Sequence, residues 1–164
     1  GRYEQGTGNV CKAGVEPYVN VTRDEAKIAA ESMYNANEEV KATTELISSY
    51  AWDTALNFIC QTSKYGYSLA TISSPDRGNM GEGNSDGAQT GKYTADKYSN
   101  ICDFLGNMME WTTEYSNYSD NYNITSCTGR GGSYYSSNTY AAGRGYGYTN
   151  YKYDYNGFRL QLYM

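Results

Sequence analysis

The 164-residue chain predicts a single α+β domain over residues 1–164. Three observations predict this class: two segments with apolar residues at helical spacing, a C-terminal segment in which apolar and polar residues alternate, and long stretches of turn-forming residues between them. A chain of this length can bury a core without disulfide staples. The four cysteines, Cys11, Cys60, Cys102 and Cys127, are too widely spaced for a redox or zinc motif. They could form two disulfides or remain buried thiols.

The first helix is predicted over residues 23–36, because Thr22 and Glu25 have the spacing of a capping box and small apolar residues follow at helical intervals. The second helix is predicted to begin near Ser49, where apolar side chains recur on one face. The residues of that face are Trp52, Leu56, Ile59 and Cys60. We expect them to pack in the core.

The rest of the chain predicts loops and short strands. Residues 63–100 are rich in Gly, Ser, Asn, Asp and Thr, which predicts a long surface connection. An apolar segment at 101–112 is interrupted by a Leu-Gly-Asn turn at 105–107 and then continues as a strand. Apolar and polar residues alternate over 158–163, which predicts a final strand with one face on the core. We expect that face to carry Phe158, Leu160 and Leu162.

Charge and composition exclude several functions. The net charge is −5 and the chain has no histidine. Histidine-based acid–base or zinc chemistry is therefore excluded, and a nucleic-acid partner is not expected because no basic surface accompanies the aromatic residues. No apolar run is long enough to insert into a membrane. The chain begins at Gly1-Arg2-Tyr3-Glu4, which is typical of the middle of a strand, so we expect a processed or excised part of a longer protein.

The segment 134–156 has an unusual composition, with eight of the chain's 20 tyrosines and no Val, Ile, Leu, Met, Phe or Trp. Such a segment cannot form a core. Tyrosine mixed with Ser, Gly and Asn is typical of antibody binding loops, because tyrosine offers a large rigid face and the small residues adapt and hydrogen-bond. The segment therefore predicts a ligand-binding surface. A merely soluble low-complexity loop and a surface that stacks on carbohydrate are the alternatives.

The side chains expected to project from this segment toward a ligand are Tyr135, Ser136, Ser137, Asn138, Tyr140, Tyr146, Tyr148, Asn150, Tyr151, Tyr153, Asp154 and Tyr155.

The order of motifs resembles the formylglycine-generating-enzyme family. The matching pieces, which extend over nearly the whole chain, are 17–22 (PYVNVT), 51–53 (AWD), 100–111 (NICDFLGNMMEW), 130–134 (RGGSY) and 157–159 (GFR). The resemblance implies a C-type lectin fold, in which two helices flank small antiparallel sheets with much loop. It also implies that Glu110, Trp111, Arg130 and Arg159 hold the fold.

Catalytic members of that family oxidise a substrate cysteine with a copper ion held by two cysteines between the last two motifs. This chain has no cysteine there and no histidine to replace one, so we expect no oxidase activity, no catalytic residue and no cofactor. Calcium sites also occur in the family. Asn107 and Glu110 could supply oxygen ligands, but two residues do not make a calcium cage, and no metal site is predicted.

A non-catalytic branch of the fold comprises the variable proteins of diversity-generating retroelements, and the segment 134–156 resembles it. Mutation of the two adenines of an AAC or AAT codon reaches every residue type present there except lysine, so Lys152 is expected to be fixed. We therefore predict a diversified binding protein on a phage virion or bacterial surface, with a cell-surface protein or glycan as ligand. The alternatives are an oxidase relative with unfamiliar chemistry and a fixed carbohydrate-binding module.

Overall fold

The structure is a computed structural model that describes residues 13–33, 42–71, 87–117, 126–135 and 140–163. The helices are α1 (Arg23–Ser32), α2 (Ser49–Thr62) and α3 (Ser68–Thr71), followed by a 3-10 turn at Thr94–Asp96. The strands are β1 (Thr43–Leu46), β2 (Lys97–Tyr98), β3 (Ile101–Cys102), β4 (Met109–Tyr115), β5 (Ser126–Arg130), β6 (Arg144–Tyr148), β7 (Asn156–Phe158) and β8 (Leu160–Tyr163). This is the α+β composition that the sequence predicts.

The capping box starts α1 where predicted. The Thr22 hydroxyl accepts a hydrogen bond from the backbone N–H of Glu25, whose carboxylate accepts one from the N–H of Thr22 at 2.8 Å. The helix ends at Ser32, four residues earlier than expected, with Met33 as its C-cap. Positions 34–36 lie outside the described residues.

The apolar face of α2 forms one of two core clusters, as predicted. Trp52, Leu56, Ile59 and Cys60 are all buried. The Trp52 ring stacks on Phe104 with 4.1 Å between ring centroids, which joins the helix to the segment before β4. The second cluster lies between α1 and the sheet, around Trp111 and Phe158.

Eight strands form three small sheets in the described part of the chain. The largest has the order β6-β5-β4-β7, and the pairs β1-β8 and β2-β3 form the other two. All pairings are antiparallel except that of β7 with β4. Consequently β6 lies at an edge of the four-stranded sheet.

The Leu-Gly-Asn turn precedes β4 as predicted. Gly106 and Asn107 have φ angles of 71° and 60°, in the left-handed region that glycine and asparagine tolerate best. The Asn107 side chain accepts from the backbone N–H of Ala88 at 2.7 Å and donates to its carbonyl at 2.8 Å. The turn is thereby tied to a distant part of the chain.

The prediction that residues 63–100 form a surface connection is wrong at a few of the positions that the structure describes, while most of the others are exposed or half-buried. Leu69 on α3 and Ala88 are buried, and so is Tyr98 on β2. A short helix and a short strand place these few apolar side chains against the core, which a composition dominated by polar residues conceals. Positions 72–86 lie outside the described residues.

The predicted final strand is divided between two sheets. Residues Asn156–Phe158 pair with β4, whereas Leu160–Tyr163 pair with β1. Leu162 is 51% exposed, so its predicted place in the core is wrong. Apolar and polar residues still alternate beyond Arg159, but there the chain leaves the four-stranded sheet and pairs with β1. The apolar residues of this part therefore no longer face the core layer that covers the large sheet.

Three of the four cysteines, Cys60, Cys102 and Cys127, are free thiols, and Cys11 lies outside the described residues. Of the two alternatives, disulfides or unpaired thiols, the structure therefore favours unpaired thiols for these three residues. Within the described ranges no helix has the length and apolarity that crossing a membrane requires.

Candidate ligand-binding surface

The edge strand β6 has the sequence Arg-Gly-Tyr-Gly-Tyr, and its glycines make room for the scaffold. A Cβ atom at Gly147 would lie 2.5 Å from Cη2 of Trp111, and one at Gly145 would lie 2.8 Å from Sδ of Met109. Because side chains alternate along a strand, Tyr146 and Tyr148 point away from this packed side. The glycines of β6 therefore allow close packing against side chains of β4, while its tyrosines point away from them at the edge of the sheet.

Five tyrosine rings follow one another in contact, and we call this series the tyrosine ridge. In order of contact its members are Tyr148, Tyr151, Tyr153, Tyr155 and Tyr135, with successive ring centroids 5.4, 6.3, 5.1 and 5.8 Å apart. The Tyr153 ring also lies 5.9 Å from Trp111, and its hydroxyl accepts a hydrogen bond from the N–H of Tyr148 at 3.4 Å. The ridge is therefore anchored on the core through its central member.

The predicted site residues are partly brought together. Tyr135 is 77% exposed, and Tyr146 and Tyr151 are each about half exposed. The other three ridge tyrosines are half-buried, while Asn150 and Asp154 lie exposed between them. Tyr140 is also exposed but lies on a separate turn beside α2 and α3, and it is not a member of the ridge. Ser136, Ser137 and Asn138 lie outside the described residues.

The prediction that residues 134–156 all stay outside the core is wrong at four positions. Tyr134 is only 7% exposed, and Ala141, Gly147 and Asn156 are buried as well. Ala141 belongs to the cluster around Trp52, and the N–H of Tyr134 donates to the carbonyl of Asn107 at 2.8 Å. The outward-facing part therefore begins at Tyr135.

Scaffold side chains hold the turn before β6 by its main chain. Arg130, which is fully buried, donates from Nε to the carbonyl of Gly143 at 3.0 Å and from Nη2 to that of Ala142 at 3.4 Å. Nε1 of Trp52 donates to the carbonyl of Ala141 at 3.2 Å. These bonds specify where the chain runs but not which side chains it carries.

The ridge is held in the same way by backbone donors of the scaffold. The N–H of Arg23 donates to the carbonyl of Thr149 at 3.2 Å, that of Asn20 to Tyr153 at 3.0 Å, and that of Met109 to Tyr155 at 2.9 Å. All three acceptors are main-chain carbonyls. The side chains of the ridge are therefore free to differ without loss of these bonds.

Charged groups reinforce the junction of α2 with β5 and β6. Asp53 pairs with both Arg130 and Arg144, and Arg144 also meets Glu114 at 3.4 Å. Burial alone would raise the pKa of Asp53, but its hydrogen bond with Arg130 and the charges of both arginines outweigh burial and lower it. Asp53 therefore stays ionised at neutral pH and neutralises the charge beside the edge strand.

Lys152 has a specific partner on the scaffold. Its Nζ lies 2.7 Å from Oε1 of Glu25, the capping-box carboxylate of α1. The hydrogen bond from Lys152 is the main cause that lowers the pKa of Glu25. Lys152 thus attaches residues 140–155 to α1 through its side chain, whereas most of the other bonds to the scaffold described above use main-chain carbonyls.

Burial raises the pKa of both Tyr153 and Tyr155, with the neighbouring phenols acting in the same direction for each. Both hydroxyls therefore remain protonated beyond the usual range for tyrosine. At neutral pH the ridge is uncharged, with apolar ring faces and hydroxyls that can donate or accept.

The motif residues expected to hold the fold do so. Glu110 accepts two hydrogen bonds from Arg159, each of 2.9 Å, and both residues are buried. Since Glu110 is committed to Arg159 and Asn107 to Ala88, their oxygen atoms already have protein partners. No group of three or more Cys, Asp or Glu residues suited to a metal ion occurs among the residues described.

Sequence reasoning missed four residues that shape the surface: Met109, Arg144, Gly145 and Gly147. The strict alternation of glycine with larger residues over 144–148 was the available signal for a strand, because it has a period of two.

Known structures resemble the fold, although no family model and no curated protein match the chain. CarF superposes with a TM-score of 0.67 at 17% identity, over 89% of this chain and 66% of CarF. Treponema denticola variable protein 1 superposes with a TM-score of 0.62 at 13% identity, over 98% of this chain and 77% of that protein. PvdO from Pseudomonas aeruginosa superposes with a TM-score of 0.61 at 14% identity, over 92% of this chain and 63% of PvdO. The chain thus spans just under two thirds of the length of CarF and PvdO.

These likenesses show the C-type lectin fold that the motifs predict. At such identities they establish the fold alone.

Proposed function

We propose that this chain is a ligand-binding variable protein of a diversity-generating retroelement, with the tyrosine ridge as the centre of its contact surface. The observation that carries the proposal is that scaffold donors hold residues 141–155 mainly by main-chain carbonyls. A segment held in this way tolerates many side chains at little cost to the fold. That tolerance is what a diversified surface requires.

The proposal separates fixed from variable positions within the segment. Gly147 is fixed most strictly because a Cβ atom there would collide with the Trp111 ring, whereas a Cβ atom at Gly145 would require the flexible Met109 side chain to shift. Lys152, which adenine mutation cannot produce from an asparagine codon, also contacts Glu25 of the scaffold. The genetic code and the contact with Glu25 therefore both predict that lysine is fixed at this position. The exposed positions of the segment other than these are the variable ones.

The expected partner is a macromolecule, because the ridge extends over five rings rather than closing around a small molecule. Tyrosine is favoured at the energetic centres of protein interfaces. The likeness in fold to Treponema denticola variable protein 1 supports a variable-protein role. We expect display on a phage virion or bacterial surface and no catalytic activity.

The DNA around the gene tests this function. We expect a reverse transcriptase gene nearby and a near-copy of the sequence encoding the C-terminal segment. The two copies should differ only at adenines, with differences at codons such as 135, 146 and 151 and none at 145, 147 or 152. An intact neighbourhood without these elements, or differences concentrated at the glycine codons, would contradict the proposal.

Two further outcomes would replace it with another function. Binding on a glycan array, with residues 135–155 unchanged between isolates, would indicate a fixed carbohydrate-binding module. Oxidation of a cysteine peptide in the presence of copper would indicate an enzyme.

A further inference from the structure

A cleft of about 390 Å³ opens between the ridge and the edge strand. Three tyrosines from separate parts of the segment line it: Tyr135, Tyr146 and Tyr155. The rings of Tyr135 and Tyr155 are nearly parallel, 14° apart and 5.8 Å between centroids. They form one continuous aromatic wall.

Met109 belongs to the same cleft but comes from the scaffold strand β4. Its side chain extends over two neighbouring strands, because Cβ atoms at Gly129 and Gly145 would lie 2.7 and 2.8 Å from its sulfur atom. The thioether is flexible and polarisable, and it makes favourable contacts with aromatic rings. Met109 therefore supplies an apolar base that does not change when the surrounding tyrosines are replaced.

The charged group of the cleft is already neutralised. Arg144 contacts Asp53 at 2.8 Å and Glu114 at 3.4 Å. Because its guanidinium is paired with these carboxylates and no other charged residue is among the described residues lining the cleft, a neutral occupant fits best.

We infer that this cleft receives one aromatic side chain of a protein ligand, which stacks beside Tyr135 and Tyr155 and contacts the Met109 thioether. The inference deepens the proposed function and rests on it for the identity of the partner as a protein. The volume accommodates a tryptophan or tyrosine side chain with part of its backbone, and aromatic anchors in such pockets dominate interface energetics.

The test uses the complete chain with ¹³C-labelled methionine methyl groups and N-acetyl-tryptophanamide as the probe. We expect the ring current of the bound indole to shift the Met109 methyl resonance, while the buried Met108 stays in place as an internal reference. Replacing Tyr135 or Tyr155 with alanine should weaken the probe's affinity at least about five-fold, because each change removes one aromatic partner. Tyr155→Phe should retain most of the probe's affinity, because the aromatic ring remains.

Tyr50→Ala, which removes an exposed tyrosine of α2, is the matched control and should leave the probe's affinity unchanged. An unmoved Met109 methyl would overturn the inference, as would an affinity for methyl α-mannoside equal to that for the tryptophan probe, which indicates sugar stacking instead. Neither result bears on adenine-directed variation in the gene. A failure here is therefore distinguishable from a failure of the proposed function.

Discussion

Residues 101–112 and the ridge region, residues 135 and 140–155, each contribute a strand to the four-stranded sheet, but they are held by different groups. In the first, side chains make the decisive bonds: Asn107 binds Ala88, and the Glu110 carboxylate binds Arg159. In the second, main-chain carbonyls accept most of the bonds from the scaffold. The first segment depends on which residues it contains, whereas the second depends mainly on the course of its backbone.

This difference would allow a stable scaffold to present the variable surface that we propose. Most side chains that fix the fold lie outside the ridge, and most of those within it contact each other and solvent. The exceptions, each of which meets a scaffold side chain, are Arg144, Gly145, Gly147, Lys152 and Tyr153. Substitutions in the two regions should therefore have very different effects on stability.

The largest effect is expected for Glu110→Ala. The change leaves the Arg159 guanidinium buried without its carboxylate, which typically destabilises a protein by about 3–5 kcal/mol. Chemical denaturation measures the free energy of unfolding. Glu114→Ala, which removes a half-exposed carboxylate from Arg144, serves as control and should cost less than about 1 kcal/mol. Equal losses from the two variants would show that the buried pair is not what holds β4.

A pH effect of nearly the same size is expected at Cys127 on β5. Burial raises the pKa of this thiol from about 9 to about 12. Below pH 9 the folded and unfolded states both keep the proton; above it the unfolded state loses the proton first. The free energy of unfolding should therefore fall as the pH rises from 9 toward 12, by up to about 1.4 kcal/mol per pH unit. Denaturation of wild type and Cys127→Ala across this range measures the difference, and identical slopes would refute the assignment.

Gly147→Ala tests whether the glycines of β6 behave as scaffold although they lie in the tyrosine-rich segment. The added methyl meets Trp111 and Tyr153, and overpacking of this kind costs about 1–3 kcal/mol. Thermal unfolding of this variant beside Tyr146→Ala, the neighbouring outward-facing position, provides the comparison. A loss for Tyr146→Ala as large as that for Gly147→Ala would place both positions in the same class.

Much of the scaffold could be predicted from the sequence because its signals are local. The capping box at Thr22, the helical stripe after Ser49 and the Leu-Gly-Asn turn each depend on neighbouring residues, and each is where expected. The division of the last strand at Arg159 could not be predicted, since it depends on pairing with the distant strands β1 and β4.

The candidate site was predictable in composition but not in geometry. The tyrosine content of residues 134–156 indicates an outward-facing surface. It cannot show that Tyr134 and Ala141 are buried or that Tyr140 lies apart from the ridge, because scaffold partners such as Asn107 and Trp52 position them from far along the chain. Met109 was missed for the same reason.

The central claim is that the ridge backbone keeps its place whatever side chains it carries. The most direct measurement is the free energy of unfolding of a triple variant, Tyr135→Ser, Tyr146→Ser and Tyr151→Ser, against wild type. Exposed substitutions each change stability by about 0.5 kcal/mol or less, so a total loss below about 1.5 kcal/mol is predicted, with amide protection in β6 retained. A loss above about 3 kcal/mol, or loss of that protection, would contradict the account.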